Sequence, residues 1–548
     1  MKYYRDNPTI TGARRLSFAL MKPKSGDFWS VKNAVPWLIL GTFAVFWLSF
    51  FALTSPLPGG TDVFVFRDAG CNWAGGDGLV AASVPHSNTA RPLPFASYTP
   101  GTPLLFGVVA SVFGCSGMVD TFYNLAWATI AVLLLYRCFS LAVADEKQRA
   151  CAAVLLGAVL PTGMIASETD RPEMPAFCVL TAILLLWHRT SSTVARSLLL
   201  GCTGLVFLIH PFAGIAGWLL LAFLLVFGDG WSRPKKEGLP VMLAGSAVYA
   251  LILALWVLSM WWQDHTALLR FLQHAAGQGT GAGVVLHGAK TASSASSPRV
   301  QNGYAVAFRH LFNLGYPASA ALAIGLIVSA ILVALYAFRG PERRHLRLQC
   351  ALLLLVLLIF PFAVFPAQAN YLGISRALLL AVLFIGGFPL ATALRGSRAP
   401  LFLILIAFAV TAPWAGLEML QTVEARASYR NEQHQAARVR LFFEQRGVHN
   451  PALLVDSGHY FLYKPYFPNL YNPDYLEPGA SIDPYQGLIL CYSGSLVSSR
   501  AQLRPSTGPA ANQWNLIDGG EDVVRVTLFA HPIMRRNWTW MCDAYARK

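Results

Sequence analysis

Asp62 and Asp68 stand in GGTDVFVFRDAGCNWAGGDG (residues 59–78), a glycine- and aromatic-rich segment directly after an apolar run long enough to cross a bilayer. Phe64, Phe66 and Trp73 flank the two carboxylates. A carboxylate partly screened from water keeps or gains basicity, which suits a general base that takes a proton from a hydroxyl, and Asp62 is the candidate. Asp68 is read as a substrate-binding group of the same segment. The alternative is structural: Gly59, Gly60 and Thr61 precede Asp62, so VFVFRDAGCNWAGG could begin a short interfacial helix that the Asp caps.

A second polar cluster, ASETDRPEMPAF (residues 166–177), compresses Glu168, Asp170, Arg171 and Glu173 between apolar segments. Carboxylates beside a membrane could hold a polar substrate, or a divalent cation through Glu168 and Asp170. The structural reading is a solvated turn in which Pro172 starts a helix and Glu173 favours its N-terminus. No His/Cys metal pattern accompanies either cluster, and no other cofactor is indicated. Arg376, in QANYLGISRALLL (residues 368–380), sits inside the outer end of an apolar run. Burying a guanidinium at a helix centre costs roughly 2.5–3.5 kcal/mol on insertion scales, so a partner is expected, either a phosphate or a structural carboxylate. His210, in VFLIHPFAG (residues 206–214), could contact a phosphate or serve only as a local hydrogen-bonding residue at a Pro-terminated helix end. GQGTGAG (residues 277–283) lacks the strand and the Gly-Lys-Ser/Thr context of a nucleotide loop, and reads as part of a mobile cover over a membrane-surface site.

These residues need a membrane frame to position them. Of 548 residues, 55% are hydrophobic and only 13% charged, which excludes an ordinary water-soluble protein. The expected fold is a mainly α-helical polytopic membrane protein with about eleven spans, at 34–54, 121–143, 150–166, 174–188, 197–210, 212–228, 239–261, 317–338, 349–366, 372–394 and 400–414. The first run is too long for a signal-peptide core and reads as a true span. The formal charge of +15 could suggest nucleic acid, but the basic residues lie between the runs, as cytoplasmic loops do. With the N-terminus inside, Lys147 and Arg149, Arg189 and Arg196, Lys235 and Lys236, Arg343 and Arg344, and Arg395 and Arg398 all fall on the cytoplasmic side. That parity requires the short apolar stretch 102–115 to be an interfacial or re-entrant helix on the outer face. Loops 55–120, 166–173 and 262–316, and the tail from 416, are then extracytoplasmic, and the protein sits in the inner (plasma) membrane.

The transmembrane part is assigned to residues 1–415 and a small extracytoplasmic α/β domain to 416–548. Residues 416–447 read as a charged amphipathic helix; 451–456, 487–494, 522–530 and 537–546 read as strands, with MRRN (534–537) as a hairpin turn. Of nine cysteines, Cys71, Cys115, Cys491 and Cys542 fall outside apolar runs. In an oxidising compartment Cys71 could pair with Cys115 and Cys491 with Cys542, or all four could be free thiols.

The arrangement resembles the GT-C superfamily of integral membrane glycosyltransferases, which use polyprenyl-phosphate sugars. Within it, TDVFVFRDAGCNWAGGDGL followed by SYTPGTPLLFGVVASVFG (residues 97–114) is similar to the bacterial polyprenol-phosphate mannosyltransferase pattern. The resemblance puts Asp62 at the catalytic base position, Asp170 at that of a second carboxylate carried by some relatives, and Tyr98 among the substrate-binding residues. Two branches, the protein O-mannosyltransferases and aminoarabinose transferases, show Asp-Glu and Lys-Pro-Pro; here Val63 follows Asp62 and the later stretch is Thr99, Pro100, Gly101.

The expectation is therefore an inverting glycosyltransferase. Its partners are a polyprenyl-phosphate sugar, a glycan, lipid or protein acceptor and membrane lipids, with no nucleic acid. Asp62 serves as base, and Arg376, helped by Arg171 or His210, as phosphate ligand. The competing classes are a transporter or flippase of lipid-linked saccharides, and a saccharide polymerase or ligase.

Overall fold

A computed structural model describes residues 61–81, 93–95, 98–115, 117–139, 172–223, 238–266, 434–455, 459–472, 483–492, 513–528 and 531–548, with a few isolated positions besides. Helix α1 (Thr61–Gly75) is followed by a small antiparallel pair, β1 (Val80–Ala81) and β2 (Leu93–Pro94). Then come α2 (Gly101–Phe113), α3 (Gly117–Phe139), α4 (Glu173–Arg189), α5 (Thr193–Ile209), α6 (Pro211–Phe223) and α7 (Gly238–Gln263). The described chain resumes with a helix at residues 434–445, α8. It ends with β3 (Leu453–Val455), α9 (Tyr460–Tyr463), β4 (Leu470–Tyr471), β5 (Gly487–Tyr492), β6 (Trp514–Leu528) and β7 (His531–Arg547).

Five of the expected spans fall wholly or mostly on described residues, and there each is a helix: α3, α4, α5, α6 and α7. Among the described residues α7 is the helix long and apolar enough to cross a bilayer. It is apolar all round, and Leu243, Leu251, Leu255 and Leu258 on it are exposed, as suits a surface whose solvent is hydrocarbon. Small residues let it approach α5 closely. A Cβ on Gly201 would lie 2.4 Å from the Val248 side chain, and one on Gly245 would lie 2.7 Å from Leu200. The remaining expected spans, 34–54, 150–166, 317–338, 349–366, 372–394 and 400–414, lie outside the described residues apart from a few isolated positions.

The apolar stretch 102–115 forms the separate short helix α2. Gly114, with φ of 74°, ends it in the left-handed region that glycine adopts at low cost, and its N–H still donates to the Ala110 carbonyl at 2.7 Å. Without that break the apolar pattern would run on into α3.

The C-terminal sheet has the order β4-β3-β5-β7-β6, parallel at β4/β3/β5 and antiparallel at β5/β7/β6. Its strands alternate as a two-residue period demands. Leu453, Val455, Ile489, Ala544 and Ala546 pack with Ala436, Val439 and Phe443 of α8, while Leu454, Leu488 and Tyr545 join Tyr485 and Trp514 in a second cluster. The strands expected at 451–456 and 487–494 contain β3 and β5, the one expected at 522–530 overlaps the end of β6, and the one expected at 537–546 lies within β7. The expected turn at MRRN (534–537) is not there. These residues lie within β7, and the hairpin closes at the Leu528–His531 pair. Consecutive arginines resemble a polar break in a one-dimensional reading, and Arg535, Arg536 and Asn537 do sit at an irregularity of the ladder, between the Val524–Trp538 and Val526–Met534 pairs, but pairing resumes beyond it and the chain does not reverse there.

Candidate active site

Helix α1 holds the residues singled out after the first span, and it is wedged between the membrane helices and the C-terminal sheet. Its start follows from sequence. Asp62 falls in the first turn, where a carboxylate is favoured by the helix dipole, and Gly76 and Gly78, with φ of 91° and 83°, end the helix and turn the chain toward β1. The segment is therefore helical, as the alternative reading expected, with Asp62 inside the helix rather than capping it.

On one side α1 crosses α2 at glycines. A Cβ on Gly70 would sit 2.7 Å from the Pro103 carbonyl oxygen, and one on Gly107 would sit 2.6 Å from the Trp73 ring. Cys71 is bonded to Cys115, which fastens α1 to the segment between α2 and α3 and realises one of the two pairings considered from sequence. Arg67 Nη1 donates to Asp120 Oδ2 at 2.6 Å, a buried ion pair that ties α1 to the first turn of α3.

On the other side Phe64, 1% exposed, enters the core of the C-terminal sheet. Its ring centroid lies 4.7 Å from that of Tyr460 and 6.0 Å from that of Phe461. The Arg67 guanidinium carbon sits 4.1 Å from the Phe461 ring centroid, so the cation faces a carboxylate and a ring at once.

Asp68 is buried, 3% exposed, and accepts a hydrogen bond from Asn72 Nδ2 at 3.4 Å. Its charge is felt across the contact. Burial pushes the Lys464 ammonium below its ordinary value while Asp68 pulls it back up. Burial pushes the Tyr460 phenol well above its ordinary value, and Asp68 and then Tyr471 add to that. Lys464 Nζ donates to the Tyr460 hydroxyl at 3.3 Å and to the Pro468 carbonyl at 3.4 Å. Asp68 thus belongs to a polar seam between α1 and α9.

Tyr98 is half-buried, with its ring edge-on to Phe66 of α1 at 5.2 Å. Three residues later α2 begins, and its first turn docks on the end of α5. Thr102 Oγ1 donates to the Ile209 carbonyl at 3.1 Å, and a Cβ on Gly101 would lie 2.5 Å from the Leu208 carbonyl oxygen. His210 is the next residue, 1% exposed, and its Nδ1 accepts the Ala213 N–H at 3.4 Å at the start of α6. The helix-end role considered for His210 is therefore occupied. Glu168, Asp170, Arg171 and Arg376, with the cation considered near Glu168 and Asp170, lie outside the described residues. Among the described residues no group of three or more His, Cys, Asp or Glu could hold a metal.

The sequence reading missed Arg67, Asp120, Tyr460, Phe461 and Lys464. A signal existed for one pair: Arg67 and Asp120 are opposite charges set in apolar surroundings on either side of a short apolar helix.

No protein-family model and no curated protein sequence matches the chain. Solved structures do. The crystal structure of ArnT from Cupriavidus metallidurans bound to undecaprenyl phosphate aligns over 94% of this chain and 98% of its own, with a TM-score of 0.52 and 14% identity. The oligosaccharyltransferase of Archaeoglobus fulgidus in the apo form aligns over 88% of this chain and 72% of its own, with a TM-score of 0.49 and 11% identity. The mycobacterial arabinofuranosyltransferase AftD aligns over 92% and 39%, with a TM-score of 0.43 and 13% identity. The likeness to ArnT is one of fold: that of a polytopic helical membrane protein, as the GT-C resemblance implies.

Proposed function

We propose that the protein transfers a sugar from a polyprenyl-phosphate donor to a hydroxyl of a glycan, lipid or protein acceptor, with inversion, at the extracytoplasmic face of the membrane. The observation that carries this reading is a fold shared along nearly the whole length of ArnT, a protein crystallised with undecaprenyl phosphate. The place of Asp62 supports it, because that residue lies on a helix wedged between two packed units.

Asp62 takes the acceptor's hydroxyl proton, and the freed oxygen attacks the anomeric carbon. The bond from that carbon to the phosphate oxygen breaks, and polyprenyl phosphate leaves with the electron pair. A phosphate leaving group needs no proton, so one carboxylate base suffices. Arg376, assisted by Arg171, offsets the phosphate charge, while Tyr98 lines the approach before α2. The similarity to the polyprenol-phosphate mannosyltransferase pattern makes mannose the first sugar to test.

The test is turnover of polyprenyl-phosphate mannose by the purified chain in detergent, with water or an added glycan as acceptor. Release of polyprenyl phosphate is expected from the wild type, with a loss of about 10²–10⁴-fold in Asp62→Asn. Weaker donor binding is expected in Arg376→Ala. Full activity of Asp62→Asn would refute the base assignment. A chain that moves the intact donor across vesicles without cleaving it would be a transporter instead.

A further inference from the structure

The residues that α1 offers to the C-terminal sheet are not spread along the helix. Phe64 and Arg67 are three apart, hence on one face, and both meet the Tyr460–Phe461 pair of α9. Asp68, beside Arg67, is coupled to Lys464 one residue after α9. The grip therefore falls on the turn immediately following Asp62. The second half of α1 is fastened differently, through Gly70 on Pro103 and the Cys71–Cys115 bond. Phe64 is buried in the same cluster as Leu453, Ile489 and Ala544, so the first turn of α1 cannot move without disturbing the sheet core.

We infer that the C-terminal sheet unit positions the reactive segment: Tyr460 and Phe461 clamp Phe64 and Arg67, and thereby set the place of Asp62. Phe461 and Tyr460 are positioning residues that touch no reacting atom. Arg67 is the joint, because the cation that faces the Phe461 ring also binds Asp120 of α3, so a shift of α9 is passed to both α1 and α3. The inference rests on the proposed role of Asp62 for its catalytic consequence. Its mechanical part does not.

The experiment compares Phe461→Ala, Phe461→Leu and Phe461→Tyr in the full-length chain in detergent. Two readouts are taken: amide hydrogen exchange of residues 61–75, and kcat and KM for polyprenyl-phosphate mannose. Phe461→Ala is expected to speed exchange in the first half of α1 about tenfold and to lower kcat about tenfold at an unchanged KM. Protection of β5 and β7 stays at the wild-type level, which separates release of α1 from unfolding of the sheet. Phe461→Tyr restores both readouts, because it keeps a ring face for Arg67. Phe461→Leu, apolar but without that face, stays impaired. Unchanged exchange across α1, or unchanged kcat, in Phe461→Ala overturns the inference. If the wild type leaves the probe intact, or Asp62→Asn remains active, the functional reading fails and exchange alone still decides whether the sheet clamps α1.

Discussion

Arg67 and Asp120 carry more of the architecture than their numbers in the chain suggest. Both side chains are 7% exposed and meet at 2.6 Å, so each offsets part of the cost of burying the other. Deleting one partner leaves a buried, uncompensated charge. Asp120→Ala is expected to destabilise the protein by about 3–5 kcal/mol, measured as resistance of the purified chain to heat or detergent denaturation. Replacing both residues together, Arg67→Met with Asp120→Leu, should cost much less. A single mutant as stable as the wild type would mean that the pair does not bind α1 to α3. Asp68 works by a different principle. It sits in a seam where burial disfavours the Lys464 charge and the carboxylate favours it, so its effect is to tolerate a lysine in a half-dry contact.

At the scale of elements, what could be read from the chain was whatever depends on local pattern. The helices at 117–139, 173–189, 193–209 and 238–263 follow from runs of apolar residues, and β3 and β5 from short β-branched and leucine-rich stretches between turn residues. The helix that bears Asp62 was open to reading, as the alternative to a catalytic loop, because glycines on both sides punctuate it. What failed depends on partners far away in sequence. The hairpin turn was misplaced because cross-strand pairing, not local polarity, decides where β6 and β7 end. The Tyr460–Phe461 clamp was invisible because nothing near residue 460 announces a phenylalanine from residue 64. One expectation gains support from register: Cys491 and Cys542 are direct partners across β5 and β7, a placement that suits a cross-strand bond. Peptide mapping without reductant is expected to recover two linked pairs, Cys71 with Cys115 and Cys491 with Cys542. Recovery of Cys491 as a free thiol would restrict the oxidised set to the first pair.

At the scale of the whole molecule, the burial of Phe64 in the C-terminal core has a topological meaning. A segment before α2 and a sheet after residue 450 can pack only if both lie on the same side of the membrane. The charge pattern, read with the N-terminus inside, independently leads to the expectation that both lie outside and that the α4–α5 turn, with Arg189 and Arg196, lies inside. Single cysteines replacing the exposed residues Asp77 and Arg440 should therefore react with a membrane-impermeant maleimide in intact cells. Ser191→Cys, in the α4–α5 turn, should react only after permeabilisation. Labelling of Asp77→Cys and Arg440→Cys from opposite faces would contradict the packing. The bond from Cys71 to Cys115 adds a property of its own, since it closes a covalent ring across a separation of 44 residues. A protease that severs the polypeptide inside this ring yields two fragments still joined through sulfur. Such nicked molecules would migrate as one species on a gel until a thiol parted them, and could pass for intact protein in any preparation analysed without one.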